Sequence, residues 1–220
     1  FYLMAKKIYI SPSDQVNNKY AYGNTTEAAQ CRLIAKALYN SLTRCGFACK
    51  TNTQDGKNAM YIRERESNNW GADMHLCLHT NAGGGKGCEV YIIKKDEKHL
   101  KPANLIYNAI KKISLYGSSR GVKTANWHEI TYTTGLCVYV EIDFHDNKLI
   151  AKWIVEHTNE IAEAICKAIC EYYGVKYVKK TESTEAAKLY RVQVGAFSEY
   201  KNADKLKKEL VRKGYSAIIV

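Results

Sequence analysis

Three ionisable residues stand where an open α/β sheet would gather reacting groups: Glu27, His79 and Glu141. His79 closes the apolar run from Met74 and leads into Thr80-Asn81. Glu141 follows Leu136 to Val140 and runs on into Ile142-Asp-Phe-His145-Asp-Asn. Glu27 opens a helix that follows a first strand and its trailing Ser11-Pro-Ser-Asp14-Gln15. In sheets of this kind, ligands and reacting groups collect beyond the carboxyl ends of the strands. An imidazole, a carboxylate and one further nitrogen or oxygen donor around an open position make a hydrolytic zinc site. A further carboxylate, not bound to the metal, then serves as general base. Each residue also has a plain structural role. Glu27 suits a first helical turn facing the dipole, His79 suits a hydrogen-bonded strand end, and Glu141 closes a buried strand, where a carboxylate needs a partner or a task.

The elements that would position these groups alternate through residue 174. Residues 7–11 read as a strand that ends at Pro12. Asn24-Thr-Thr-Glu starts a helix, whose stripe is Cys31, Ile34, Ala35, Leu38 and Leu42 and whose stop is Gly46. Residues 47–51 resume as a strand, 57–70 as a helix, and 74–79 as a strand buried on both faces. A strand over 88–93, a helix over 100–115 and a strand over 136–142 follow. One long helix is then expected from Asn147 to Gly174. The pattern predicts an α/β fold with a mainly parallel sheet covered by helices on both faces. Residues 175–187 lose periodicity and read as a linker. Beyond it, 188–220 form a small C-terminal β-α-β element: a strand over 189–194, a helix over 202–213 and a strand over 217–220. That piece is too short for a core of its own, so it is expected to dock, to pair with a second copy as a homodimer, or to be a truncated repeat.

Composition narrows the partners. Lys and Arg number 33 against 22 Asp and Glu, a net charge of +11, which favours encounter with polyanions. No recognition-helix signature, RNA-binding aromatic motif or long basic block is present, so nucleic acid is not the expected partner. No apolar run reaches the roughly 18–20 residues of a membrane span. The eight cysteines sit in apolar patterns and contain no Cys-x-x-Cys pair, so they read as small buried hydrophobes in a reducing cytosol. His75 and His79 share a strand face but stand about 13 Å apart at a rise near 3.3 Å per residue, too far to bind one ion.

Over residues 6–174 the chain resembles the zinc-dependent N-acetylmuramoyl-L-alanine amidases of the type-3 family. Leu76-Cys-Leu-His-Thr-Asn-Ala is similar to the family strand whose histidine binds zinc, so the resemblance makes His79 a ligand. Thr26-Glu-Ala-Ala lies where the family places its glutamate ligand, here Glu27. Val138-Tyr-Val-Glu-Ile-Asp-Phe resembles the strand that ends in the catalytic glutamate, here Glu141, and Arg120-Gly-Val-Lys matches a further landmark. The usual Asp-Pro-Gly-His-Gly is replaced by Ser11-Pro-Ser-Asp-Gln, which leaves three choices for the third zinc donor: His145, Gln15 or Asp14. Imidazole is the better neutral ligand, which favours His145. His145 has an alternative role in contacting substrate or orienting Glu141. Asn81, Arg120 and His128 are expected to line the substrate site.

The tail, Leu189-Tyr-Arg-Val-Gln-Val-Gly-Ala-Phe-Ser with Leu206, Leu210 and Gly214-Tyr, resembles the first half of the sporulation-related (SPOR) repeat that binds peptidoglycan. The resemblances together imply a cell-wall hydrolase with a Zn2+ cofactor, an endolysin or an autolysin. Its partners would be peptidoglycan and the anionic polymers of the wall. No secretory signal is recognised, so synthesis in the cytoplasm and action on the wall after release or lysis are expected. A wall-binding protein without catalysis, or a zinc peptidase acting on stem peptides, is the alternative.

Overall fold

The computed structural model describes residues 5–180 apart from 55, 57 and 118, and residues 193–213, 215 and 219. The chain divides into two compact units, 1–180 and 181–220.

In the first unit β1 (Lys7–Pro12), α1 (Glu27–Arg44), β2 (Ala48–Thr51), α2 (Ala59–Trp70), β3 (Met74–Asn81), β4 (Cys88–Ile92), α3 (Glu97–Ile113), β5 (Ser119–Thr124), α4 (His128–Tyr132), β6 (Leu136–Phe144), α5 (Lys148–Glu156) and α6 (Thr158–Tyr173) follow one another. The six strands form one sheet in the order β2-β1-β3-β6-β4-β5. All neighbours run parallel except β4 and β6, which are antiparallel. The expected α/β architecture, with helices on both faces, is what the chain adopts.

Alternation along each strand divides the sheet into two unlike faces. Ile8, Ile10, Met74, Leu76, Leu78, Val90, Val138, Val140 and Ile142 lie on one face and form the main core with the buried stripes of α1, α3, α5 and α6. On the other face stand Tyr9, Ser11, His75, Cys77, His79, Tyr139 and Glu141, with α2 and α4 supplying Arg63 and Glu129. Helix α1 begins as expected: Thr26 Oγ1 accepts from Ala29 N, and the predicted stripe is buried. Gly46 carries φ +91° as the chain turns into β2, a conformation that suits glycine.

The departures from expectation have local causes. The strand β5 and the short helix α4 were not anticipated, because Arg120-Gly-Val-Lys and Trp127-His-Glu carry mixed polarity at a sheet edge. The single helix expected over 147–174 is two, meeting at His157. Backbone bonding continues across the joint (His157 N to Trp153 O at 2.9 Å, Ile161 N to His157 O at 2.9 Å). There His157 Nδ1 donates to Trp153 O at 2.8 Å and Thr158 Oγ1 to Val155 O at 3.1 Å. Side chains competing for helix carbonyls interrupt the regular helix at this joint while backbone bonding runs on.

In the second unit, α7 (Tyr200–Arg212) takes the place of the helix expected over 202–213. Ala203, Leu206 and Leu210 are among its half-buried positions, with Asp204 and Lys207, and no residue of it is fully buried. Residues 193–197 form no strand. Most of the strand expected over 189–194 and of that over 217–220 lies outside the described residues, as do the linker positions 181–187. Among the described residues, no helix is long and apolar enough to cross a membrane.

Candidate active site

Beyond the carboxyl ends of β1, β3 and β6, the first turn of α1 meets the sheet. Glu27 is only 1% exposed, so its carboxylate points inward at the strands. Its Oε1 lies 2.9 Å from His79 Nδ1 and accepts from Thr80 N at 3.4 Å, while Oε2 accepts from Asn18 Nδ2 at 2.9 Å. The Gln15 amide stands 3.5 Å from the same His79 nitrogen, and Asn18 also donates to Gln15 Oε1. Tyr139 stacks on the His79 ring with centroids 4.5 Å apart. Burial pushes the Glu27 carboxyl up, but His79 and Asn18 outweigh it and hold it below the usual range. Burial lowers His79 in turn, yet Glu27 and Glu141 outweigh that and raise it.

Glu141 is the register partner of His79 on β3 and of Glu89 on β4, so the three side chains form a row across adjacent strands. Glu89 is saturated: it accepts from Tyr91, Arg120, Lys123 and Asn81. Glu141 is not, for its buried Oε2 has no hydrogen-bond partner. Burial raises its carboxyl to about 7, with Glu27 and Glu89 adding to the rise against the pull of His79. A register shift lies between His79/Asn81 and Glu141/Phe144, placing an extra residue on β6 directly after Glu141. Such bulges re-aim side chains beside active sites.

The structure thus brings Glu27, His79, Gln15 and Glu141 together. His145 is buried next to them, but its Nδ1 is engaged by Thr80 Oγ1 at 3.0 Å and Thr80 O at 3.1 Å, and its ring stacks on Tyr20. Asp14 turns to Arg63, with Oδ2 3.5 Å from the guanidinium. Asn81 and Arg120 both lean on Glu89. His128 lies on α4 between Tyr61 and Tyr132, 3.6 Å from Glu64. Sequence reasoning missed Asn18, Glu89 and Tyr139. Tyr139 and Glu89 carried a signal, since each is the residue that alternation places on the face of Glu141. Asn18, in a loop, had none.

The donor set fits a zinc ion. Donors on a tetrahedral zinc with bonds of 2.0–2.1 Å stand about 3.3 Å apart. The separations of 2.9 Å and 3.5 Å around His79 Nδ1 bracket that edge. Turning the Gln15 amide over exchanges nitrogen for an acceptor oxygen at nearly the same point and gives up the bond from Asn18 Nδ2. The buried Glu141 oxygen without a protein partner stands in register beside this donor set.

The arrangement defines a hydrolytic class, an open α/β sheet with acids and an imidazole at its carboxyl edge. Residues 8–171 match the family profile described as N-acetylmuramoyl-L-alanine amidase (Amidase_3), and residues 173–220 match that of the SPOR domain. The chain belongs to the N-acetylmuramoyl-L-alanine amidase family and is a peptidoglycan hydrolase. It is 29% identical to N-acetylmuramoyl-L-alanine amidase CwlM of Bacillus licheniformis, over 97% of this chain and 84% of that one. It is 28% identical, with the same coverage, to the sporulation-specific N-acetylmuramoyl-L-alanine amidase of Bacillus subtilis (strain 168). The fold superposes on the CwlD amidase from Clostridioides difficile, solved in complex with the GerS lipoprotein, with a TM-score of 0.68 at 18% identity, covering 77% of this chain and 98% of that one.

Proposed function

We propose that this chain hydrolyses the amide between N-acetylmuramic acid and L-alanine of the stem peptide with a zinc ion held by Glu27, His79 and the Gln15 amide. When bound there, zinc polarises the scissile carbonyl and acidifies the attacking water. Glu141 takes the proton from that water and delivers it to the departing amine of L-alanine. Burial raises that carboxyl in the metal-free chain, which marks it as a carboxylate of high basicity. Tyr139 keeps the His79 ring in plane, and Asn18 fixes the Glu27 head through its amide nitrogen. An open hollow of about 560 Å³, lined by Gly84, Gly85, Lys86, Tyr116, Arg120 and Asn147, offers a cationic wall for the stem-peptide carboxylates or for anionic wall polymers.

The observation that carries this reading is the unpartnered, buried Glu141 oxygen in register beside His79. Glu141→Gln is expected to keep stoichiometric zinc and to lose about 10²–10⁴-fold in wall cleavage. Near-normal release of intact stem peptides by that variant would overturn the assignment. The third donor is decided by metal content: Gln15→Ala should lose zinc and His145→Ala should keep it. For the 173–220 segment we infer added affinity for peptidoglycan, to be measured as retention on purified walls with and without it.

A further inference from the structure

Three cysteines from two helices meet at the end of α1 opposite the active site. Cys45 caps α1, and Cys166 and Cys170 stand one turn apart on α6. All three are free and buried, and their Sγ atoms all lie within 4.8 Å of one another. Cys45 Sγ and Cys166 Sγ are 3.8 Å apart. The chain beyond Gly174 closes over them. Val175 N donates to Cys170 O at 2.9 Å, and Val178 N donates to Cys45 Sγ at 3.3 Å. Val178 O lies 3.8 Å from the same sulfur and accepts from Arg44 Nε at 2.9 Å. Glu163 holds that guanidinium through contacts of 2.7 Å and 2.8 Å and accepts from Tyr177.

Burial accounts for each cysteine singly as a small hydrophobe, but not for three sulfurs converging. A disulfide would use two and leave the third. Neighbouring sulfurs on a tetrahedral ion with bonds of about 2.3 Å stand about 3.8 Å apart, which is the spacing of Cys45 and Cys166. Burial raises the Cys45 thiol, and the hydrogen bond with Cys170 together with burial raises Cys166, so an ion has to displace those two protons; an amide donates to Cys45 and a guanidinium stands nearby. Cys170 is lowered to about 7, first by its hydrogen bond with Cys166, against burial, and then by Cys45 and Arg44.

We propose that Cys45, Cys166 and Cys170 form a trithiolate site for a thiophilic d10 cation of the Zn(II)/Cd(II) class, which clamps α1, α6 and residues 175–178 together. The Val178 carbonyl or a water takes the fourth position. Each thiol surrenders its proton to solvent as its sulfur binds, so uptake of one ion releases up to three protons. The site is chemically distinct from the centre at Glu27 and His79, which carries no sulfur. It lies at the other end of an 18-residue helix, about 27 Å long.

The test is a titration of the full, reduced, metal-free chain with cadmium chloride, following the ultraviolet sulfur-to-cadmium charge-transfer band and proton release. The band is expected to saturate with one ion per chain and to disappear in Cys45→Ser and in Cys166→Ser/Cys170→Ser, while Cys77→Ser retains it. The oxygen and nitrogen donors of the active site cannot give this band. No band in the folded wild-type protein would overturn the proposal without recourse to a variant. So would a band that persists in Cys45→Ser, or a Cys45–Cys166 disulfide found by mass spectrometry in protein isolated with its thiols blocked.

Discussion

The two faces of the central sheet are built from the same strands and do opposite things. Leu76 and Leu78 point into the core against α1, α3 and α6, where nearly every neighbour is aliphatic. One residue away, His75, Cys77 and His79 point to a face whose buried contents are largely polar. There Glu129 accepts from Ser11 and sits 3.0 Å from His75, Arg63 Nε donates to Ser11 at 3.0 Å, and Tyr9 stacks on the His75 ring. The apolar face needs only volume and shape. The polar face needs partners, and it leads without interruption from the His75–Glu129 pair to His79 and Glu141. The difference teaches where this fold accepts the cost of buried charge: on the side that carries chemistry.

The sharpest way to break that comparison is to unpair the polar face. Burial pushes the Glu129 carboxyl up, but His75 and Ser11 outweigh it and hold it below the ordinary range. Glu129→Ala leaves Ser11 and His75 without their common acceptor and is expected to cost about 3–5 kcal/mol in urea unfolding. A paired replacement, Glu129→Met with His75→Leu, should recover most of that loss, because an apolar pair carries no desolvation penalty. Recovery would show that the network supports the site rather than the fold. Failure to recover would show that the two faces are equally structural.

On the apolar face, Leu76→Ala should cost about 2–5 kcal/mol through lost burial and the cavity left behind. Its specific activity per folded molecule should stay near that of the parent. A variant of normal stability but reduced turnover would mean that the two faces are coupled. The contrast also explains what could be read from the sequence. Strand β3 was legible as a strand because Met74 to His79 is uniformly apolar enough to be buried on both sides. Its division into faces was legible from the period of two. The roles of Glu27 and Glu141 were legible only through the motifs around them, since a first-turn carboxylate and a strand-end carboxylate are common without chemistry. Gln15 was placed behind His145 and Asn18 was missed, because a loop residue's direction depends on the backbone path between β1 and α1, which no periodicity encodes. The antiparallel β4 was hidden for a similar reason: strand direction follows from the crossover, not from the strand's composition. The thiol trio escaped because spacing rules look for cysteines near in sequence, and Cys45 comes from another helix.

The smallest effect expected is also the one that ties the comparison to catalysis. In the metal-free protein Glu141 titrates near 7 when folded, against 4.5 for the ordinary carboxyl. Its folded state therefore prefers the proton more than its unfolded state does. Below about pH 4.5 both states are protonated and the full stability is present. As pH rises through that value toward 7 the unfolded chain ionises first, and stability falls by up to about 3 kcal/mol before levelling off. Gln has the shape of the protonated acid and no charge to desolvate. In chelator-treated protein, Glu141→Gln should then match the parent near pH 4 and exceed it by up to about 3 kcal/mol near pH 8, as measured by urea denaturation at each pH. A stabilised but inactive variant is the pattern expected of a carboxylate kept buried for its function. Equal stability at both pH values would mean that Glu141 is already solvated in the free protein and that its missing partner is simply water.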